Sequence, residues 1–311
     1  MKIKPVYTKL IFISALLICL TPIVNSPIAL ILGFLLAYFF GNPFITWTNV
    51  AVKWLLKIAV VGLGFGMHLQ ETINAGKDGL LLTVFSIISV LVLGWLIGKA
   101  LKLHKNTSHL ISSGTAICGG SAIAAVSSVI NAKEKEISIS LGVIFLLNSI
   151  ALIIFPPIGH FFDLSQYQFG LWSAIAIHDT SSVVGAALTY GNEALKTATT
   201  VKLARALWII PISFLTMYLF KSKNGKVNIP WFIFLFMGAI LVNSFFYLPD
   251  YLTQTITGIS KKLLVVTLFL IGAGLSAEAV KESGIKPIVL GVILWLFISI
   301  SSLAIILNNL F

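Results

Sequence analysis

The feature that most constrains this chain is a continuous apolar run, interrupted by a few polar residues, that recurs eleven times along the sequence. The runs cover Leu10–Val24, Pro27–Phe40, Asn49–Leu69, Gly79–Leu101, Leu110–Asn131, Ile137–His160, Gln166–Tyr190, Ala194–Phe220, Pro230–Leu248, Lys262–Ser276 and Ile285–Leu307. Most approach the roughly 20 residues that a helix needs to cross a bilayer. A helix also satisfies its own backbone polar groups, as lipid requires. The runs do not alternate with period two, which excludes a transmembrane β-barrel. Composition agrees: 58% of residues are hydrophobic and 10% charged, against about 25% charged in a soluble domain. The expected fold is therefore all-α, one polytopic transmembrane helix bundle of about eleven spans over residues 1–311.

The first run follows Lys2, Lys4 and Lys9, as a signal peptide's would. No small-residue cleavage site follows, and Ile18 before Cys19 does not suit a lipoprotein signal, so a retained helix is expected. Cys19 and Cys118 both lie in apolar runs and imply no disulfide framework. The net charge of +11 is spread over short loops, with no basic domain, so nucleic acid is not an expected partner. Loop lysines instead read as topology signals. Lys2, Lys4 and Lys9, then Lys99, Lys102 and Lys105, then Lys221, Lys223 and Lys226 all fall on one side if there are eleven crossings. Lys53, Lys57, Lys281 and Lys286 lie towards that side too. The positive-inside rule makes it cytoplasmic, so the N-terminus is expected inside and the C-terminus outside, in a plasma membrane.

Two runs are unusual. Ser112-Ser113-Gly114-Thr115-Ala116-Ile117-Cys118-Gly119-Gly120-Ser121 is dense in hydroxyls and glycines. Glycine permits turns that other residues avoid, so this run is expected to be an interrupted helix whose free N–H groups face an anion. Close helix packing through small residues is the plainer alternative. The other run contains His178-Asp179-Thr180-Ser181-Ser182, and Ala176–Ser181 echoes Ala116–Ser121 in outline. A second echo pairs Leu55-Leu56 and Gly64-Phe65-Gly66 with Leu263-Leu264 and Gly272-Ala273-Gly274. The two offsets differ, so the echoes are a candidate internal repeat and not a clean duplication.

Asp179 is the one acidic residue well inside an apolar run, where an unpaired charge is costly. It needs a partner, a water-filled cavity or a raised pKa, and a proton- or cation-coupled carrier would use any of these. A structural ion pair is the alternative. Lys202 and Arg205 are three residues apart and share a helix face. Lys202 is expected to snorkel, because Glu193 and Lys196 mark a membrane edge nearby. Arg205, the chain's one arginine, lies deeper, and its planar fork suits an oxyanion. His68, Asn148 and Asn243 read as helix-packing residues, and His104, His109 and His160 as interfacial ones. No metal-ligand spacing, P-loop or nucleophile elbow is present, so neither a metal nor a cofactor is expected.

Gly114–Ala125, then Ile177-His178-Asp179, then Val201-Lys202-Leu203-Ala204-Arg205 resemble the YeiH family of bacterial inner-membrane proteins, described as sulfate exporters. The likeness covers nearly the whole chain in length and motif order. It also implies a distant similarity to bile-acid and cation–proton carriers, which have inverted repeats and crossed, interrupted helices. Gly120 stands where much of the family has alanine, and Ser182 where many members have glutamine.

These readings point to a membrane transporter of a small anion, such as sulfate or another oxyanion, and not to an enzyme. Gly114, Thr115, Cys118, Gly119, Gly120, Ser121 and Arg205 would bind the anion, and His178 and Asp179 would couple it to a proton or cation. A cation-coupled organic-anion carrier is the rival. An intramembrane enzyme using His178 and Asp179 as acid and base lacks a supporting constellation.

Overall fold

A computed structural model describes residues 5–21, 24, 26–220, 231–246, 248–274 and 284–308. Lys2, Lys4, Lys221, Lys223, Lys226 and Lys281, used above for topology, lie outside the described residues. Every described element is helical: α1 (Pro5–Ile18), α2 (Ser26–Phe40), α3 (Ile45–Gly64), α4 (Leu69–Ala100), α5 (Lys105–Ala116), α6 (Gly120–Val129) and α7 (Glu134–Phe161). Then come α8 (Gln166–Ala176), α9 (Thr180–Tyr190), α10 (Asn192–Ala206), α11 (Ile209–Leu219), α12 (Phe232–Phe246), α13 (Asp250–Gly274) and α14 (Ile285–Leu307).

Over its described residues, each of the eleven apolar runs overlaps one helix or one consecutive pair of helices. Three runs are pairs. The run from Leu110 is α5 and α6, that from Gln166 is α8 and α9, and that from Ala194 is α10 and α11. Among the described residues, six helical stretches are long and apolar enough to cross a bilayer unaided, α10 and α11 counting as one. Shorter apolar helices, among them α2, α6 and α12, fill out a polytopic membrane bundle. The pause between α10 and α11 follows from Pro211, which has no N–H for the carbonyl of Leu207. Ile210 donates to that carbonyl instead, at 3.1 Å.

The burial pattern is that of a protein in lipid. On α4, Leu81, Ile88 and Trp95 recur at seven-residue spacing along one face and are all exposed. Ser108, Ser112, Thr115, Ser140, Asn148 and Ser173 are buried. Small residues let the inner helices close up: the Ser108 hydroxyl of α5 donates to the Gly94 carbonyl of α4 at 3.0 Å. A Cβ at Gly94 or Gly98 would overlap Ser112 or Ser108.

Helix packing sorts into two groups. In one, α13 packs along α2 and α3, with α12 on α3 and α1 on α2. In the other, α4, α5, α7, α8, α10 and α14 pack around one another and carry α6, α9 and α11. The groups join chiefly where α9 meets α2 and α13. A polar cavity of about 300 Å³ lies between helices of the two groups, lined by Gly66, Lys196, Thr199, Gln254, Thr257 and Lys261 among others.

Candidate functional site

Two interruptions lie deep in the second group, and they match the sequence echo residue for residue. Helices α5 and α8 end at Ala116 and Ala176, and helices α6 and α9 begin at Gly120 and Thr180. At the first break Ile117 leaves the helical region (φ −120°, ψ −90°) and Gly119 takes φ 66°, ψ −123°. That second conformation strains any residue with a Cβ. The Gly119 N–H closes the turn onto the Gly114 carbonyl at 2.8 Å. At the second break Ile177 and Asp179 are extended.

The breaks touch. A Cβ on Gly119 would sit 3.4 Å from both the Cα and the Cβ of Asp179. Helix α7 braces the second break, where the buried Asn148 Oδ1 accepts from the backbone N–H groups of His178 (3.1 Å) and Asp179 (3.2 Å). The Asp179 carboxylate turns forward and caps α9. Its Oδ2 accepts from the Ser181 N–H at 3.1 Å and from the Ser181 hydroxyl. A carboxylate at a helix N-terminus is favoured by the helix dipole.

Lys202 and Arg205 on α10 are fully buried behind the breaks. Helices α5 and α8 end there with carbonyls that have no intrahelical donor, at the negative end of the dipole. Arg205 supplies donors to both ends. Its Nε and one terminal nitrogen donate to the Ala116 carbonyl at 2.8 and 2.6 Å, and that terminal nitrogen also lies 3.3 Å from the Thr115 carbonyl. The other terminal nitrogen donates to the carbonyls of Ile175 and, at 3.5 Å, Ala174. Lys202 Nζ donates to the carbonyls of Ala174 (3.1 Å) and Ile177 (2.7 Å).

Two expectations from sequence change here. Lys202 does not snorkel to an interface; the unpaired carbonyls of α8 draw it inward. The alternative of an Asp179–Arg205 ion pair is not realised among the described residues, because each side chain is committed to a helix end.

Of the proposed binding residues, Gly114, Thr115 and Cys118 are enclosed, whereas Gly120 is partly open and Ser121 is exposed. Gly120 has Leu141 and Phe145 for neighbours. Among the described residues the N–H groups of Gly120 and Ser121 meet no acceptor, as expected of the first turn of an uncapped helix. Asp179 is half-buried beside this opening. The Thr115 hydroxyl, Asn148 Nδ2, both ring nitrogens of His178 and the Thr200 hydroxyl are buried without a hydrogen-bond partner. So many unpaired polar atoms are unusual around one buried locus, and each is a position for water or a ligand. Arg205 can contact an anion directly only by releasing carbonyls it now holds.

Asn148, expected from sequence to make a helix-packing hydrogen bond, makes two and is the brace of the second break. The available signal was an amide in the middle of an otherwise apolar run. Asn243, read the same way, does tie two helical segments, with its Nδ2 donating to the Met67 carbonyl at 3.0 Å. His68 is exposed just ahead of α4, and His104 pairs with Glu136 at 2.6 Å.

Residues 8–291 match the family described as Conserved hypothetical protein 698. A UPF0324 membrane protein of Bacteroides thetaiotaomicron is 53% identical over 90% of this chain and 86% of its own length. One from Photobacterium profundum is 54% identical over 96% of this chain and 92% of its own. A third, from Shewanella oneidensis, is 52% identical over 96% and 95%. No solved structure matches. With its many apolar helices, its buried polar centre and relatives at this level of identity, the chain belongs to the UPF0324 family of bacterial multi-pass membrane proteins.

Proposed function

We propose that this protein is a carrier of small anions in the bacterial plasma membrane, with sulfate or a similar oxyanion as its cargo. The observation that carries the proposal is the charge balance where the two breaks touch. Two cationic side chains, Lys202 and Arg205, are fully buried there, and Asp179 is the one carboxylate against them. Uncompensated charge in a low-dielectric interior is expensive, and a bound anion restores neutrality. The N-terminus of α6 that follows Gly119 is open at Gly120 and Ser121 and offers that anion N–H groups and a positive dipole end. Lys202 and Arg205 act from behind, through their field. The sulfate-exporter description attached to the resembling YeiH family points to the same class of cargo.

Asp179 supplies the coupling. Its Cα and Cβ lie against Gly119 while its carboxylate caps α9, so when ionised it competes, by repulsion, with an anion at the adjacent start of α6. Taking up a proton removes that competition, which ties anion occupancy to protonation. His178, buried one residue earlier with both ring nitrogens unpartnered, is the second coupling residue, able to hydrogen-bond water or cargo at the break. Half-helices at the two breaks, eleven crossings and an inside N-terminus complete the proposed architecture. The polar cavity with Lys196 and Lys261 forms the approach along α10, since Thr199 on its wall is one turn from Lys202.

The test is thiol labelling. In a Ser121→Cys protein with Cys19 and Cys118 replaced, a small hydrophilic thiol reagent should react at position 121. Sulfate at millimolar concentration or below should slow it at least tenfold, and Asp179→Asn should abolish the pH dependence of that protection. Labelling unaffected by sulfate and by every other small oxyanion would exclude the anion seat.

One observation favours a larger, amphiphilic organic anion as cargo. A second cavity of about 610 Å³ between α4, α5 and α11 is walled by Leu91, Trp95, Ile212 and Leu215 and reached by Lys99 and Lys105. Protection by a long-chain carboxylate, and not by sulfate, would select this reading.

A further inference from the structure

Carriers built from interrupted helices commonly hold their coupling sodium ion with the carbonyls exposed at half-helix C-terminal ends. Here those ends are occupied by the protein itself. The carbonyls of Thr115 and Ala116, closing α5, and of Ala174, Ile175 and Ile177, closing α8, all accept from Lys202 or Arg205. Both donors project from one face of α10, and neither is in contact with solvent. The two half-helices come from separate parts of the chain, so α10 ties their negative ends together with two cations.

We infer that Lys202 and Arg205 are tethered substitutes for alkali coupling cations, so that the site works without sodium. As a statement about cargo coupling this rests on the carrier reading; as a statement about the carbonyl ends it does not. The geometry makes three demands. A mobile cation finds no vacant carbonyl cage at either end. The two donors stay bonded to the carbonyl ends through the cycle, where a mobile ion would bind and leave. Removing the Lys202 ammonium empties a site that a free cation can then enter, because the Ile177 carbonyl, 2.7 Å from Nζ, loses its donor.

Thermal unfolding of the detergent-solubilised protein tests this at constant ionic strength, comparing sodium, choline and n-propylammonium chlorides. The wild type should unfold at one temperature in all three salts. Lys202→Ala should unfold lower in choline and recover in sodium or n-propylammonium, by roughly 5 °C at saturating cation. Lys202→Gln, which keeps one donor, should show the same gain with a smaller initial loss. Sodium-specific stabilisation of the wild type would overturn the inference, as would a Lys202→Ala protein as stable as wild type and blind to every cation. If neither variant accumulates, the wild-type comparison decides alone: indifference to sodium upholds the inference, and specific stabilisation sinks it. A parallel sulfate titration of the wild type separates the two readings. Absence of a saturable sulfate effect with sodium indifference intact refutes the anion cargo and leaves the tethered cations standing. Sulfate binding together with sodium-specific stabilisation refutes the tethered cations alone.

Discussion

Replacing Asn148 with leucine removes the one acceptor shared by the His178 and Asp179 N–H groups while keeping a similar volume. Each buried N–H left without a partner costs about 1–3 kcal/mol. Asn148→Leu should therefore lose about 2–6 kcal/mol, measured as a lower unfolding temperature in detergent. Asn148→Asp keeps the acceptor but places a second carboxylate beside Asp179. It should retain most of the stability and lose sulfate protection of Ser121→Cys. If both variants were fully stable and protected, Asn148 would be packing material after all. Arg205 illustrates the same commitment of one side chain to backbone. Arg205→Lys keeps the charge but offers one nitrogen where three now hold four carbonyls, so a stability loss should precede any change in anion affinity.

At the scale of elements, the two breaks decide what the molecule can bind, and they have unlike causes. The first needs Gly119 at a positive φ, next to Asp179. Gly119→Ala should cost about 1–3 kcal/mol from backbone strain. Gly120→Ala is its control: the added methyl would meet Leu141 and Phe145 at 3.4–3.6 Å, ordinary contact distances. That variant should stay within about 0.5 kcal/mol of wild type. Equal tolerance at both positions, read by thermal unfolding, would mean that the first break is not held by the Gly119 conformation. The second break has no glycine. It is held open by Asn148, by the Asp179 cap and by the cations on α10. That difference explains why hydroxyl and glycine density marks the first break in sequence, whereas a stray acidic residue and the echo of the first segment mark the second.

For the whole molecule, the lysine distribution makes a topological prediction. A reporter fused after Lys226 should be cytoplasmic and one fused after Phe311 external. Both on one side would remove a crossing and overturn the eleven-span architecture. The division into two helix groups, with the polar cavity between them, fits a carrier in which one group moves against the other. The tie of α10 to α5 and α8 would then keep both breaks in a single moving body.

Local order was legible without coordinates. The apolar helices of a polytopic membrane bundle and the location of both breaks follow from hydropathy, spacing and residue type, because each depends on neighbours in sequence. The echo of Ala116–Ser121 in Ala176–Ser181 even marks the helix ends exactly where they fall. What the polar side chains do with their partners was decided only by tertiary structure. From sequence alone Lys202 belongs at an interface, and a pair with Arg205 is one alternative for Asp179. In the fold, Lys202 and Arg205 serve the carbonyls of two helices lying between about 25 and 90 positions away in the chain, and Asp179 serves its own helix. The physical reason is that a helix end creates donors and acceptors that no composition records. Which charge answers them depends on which ends the packing brings together.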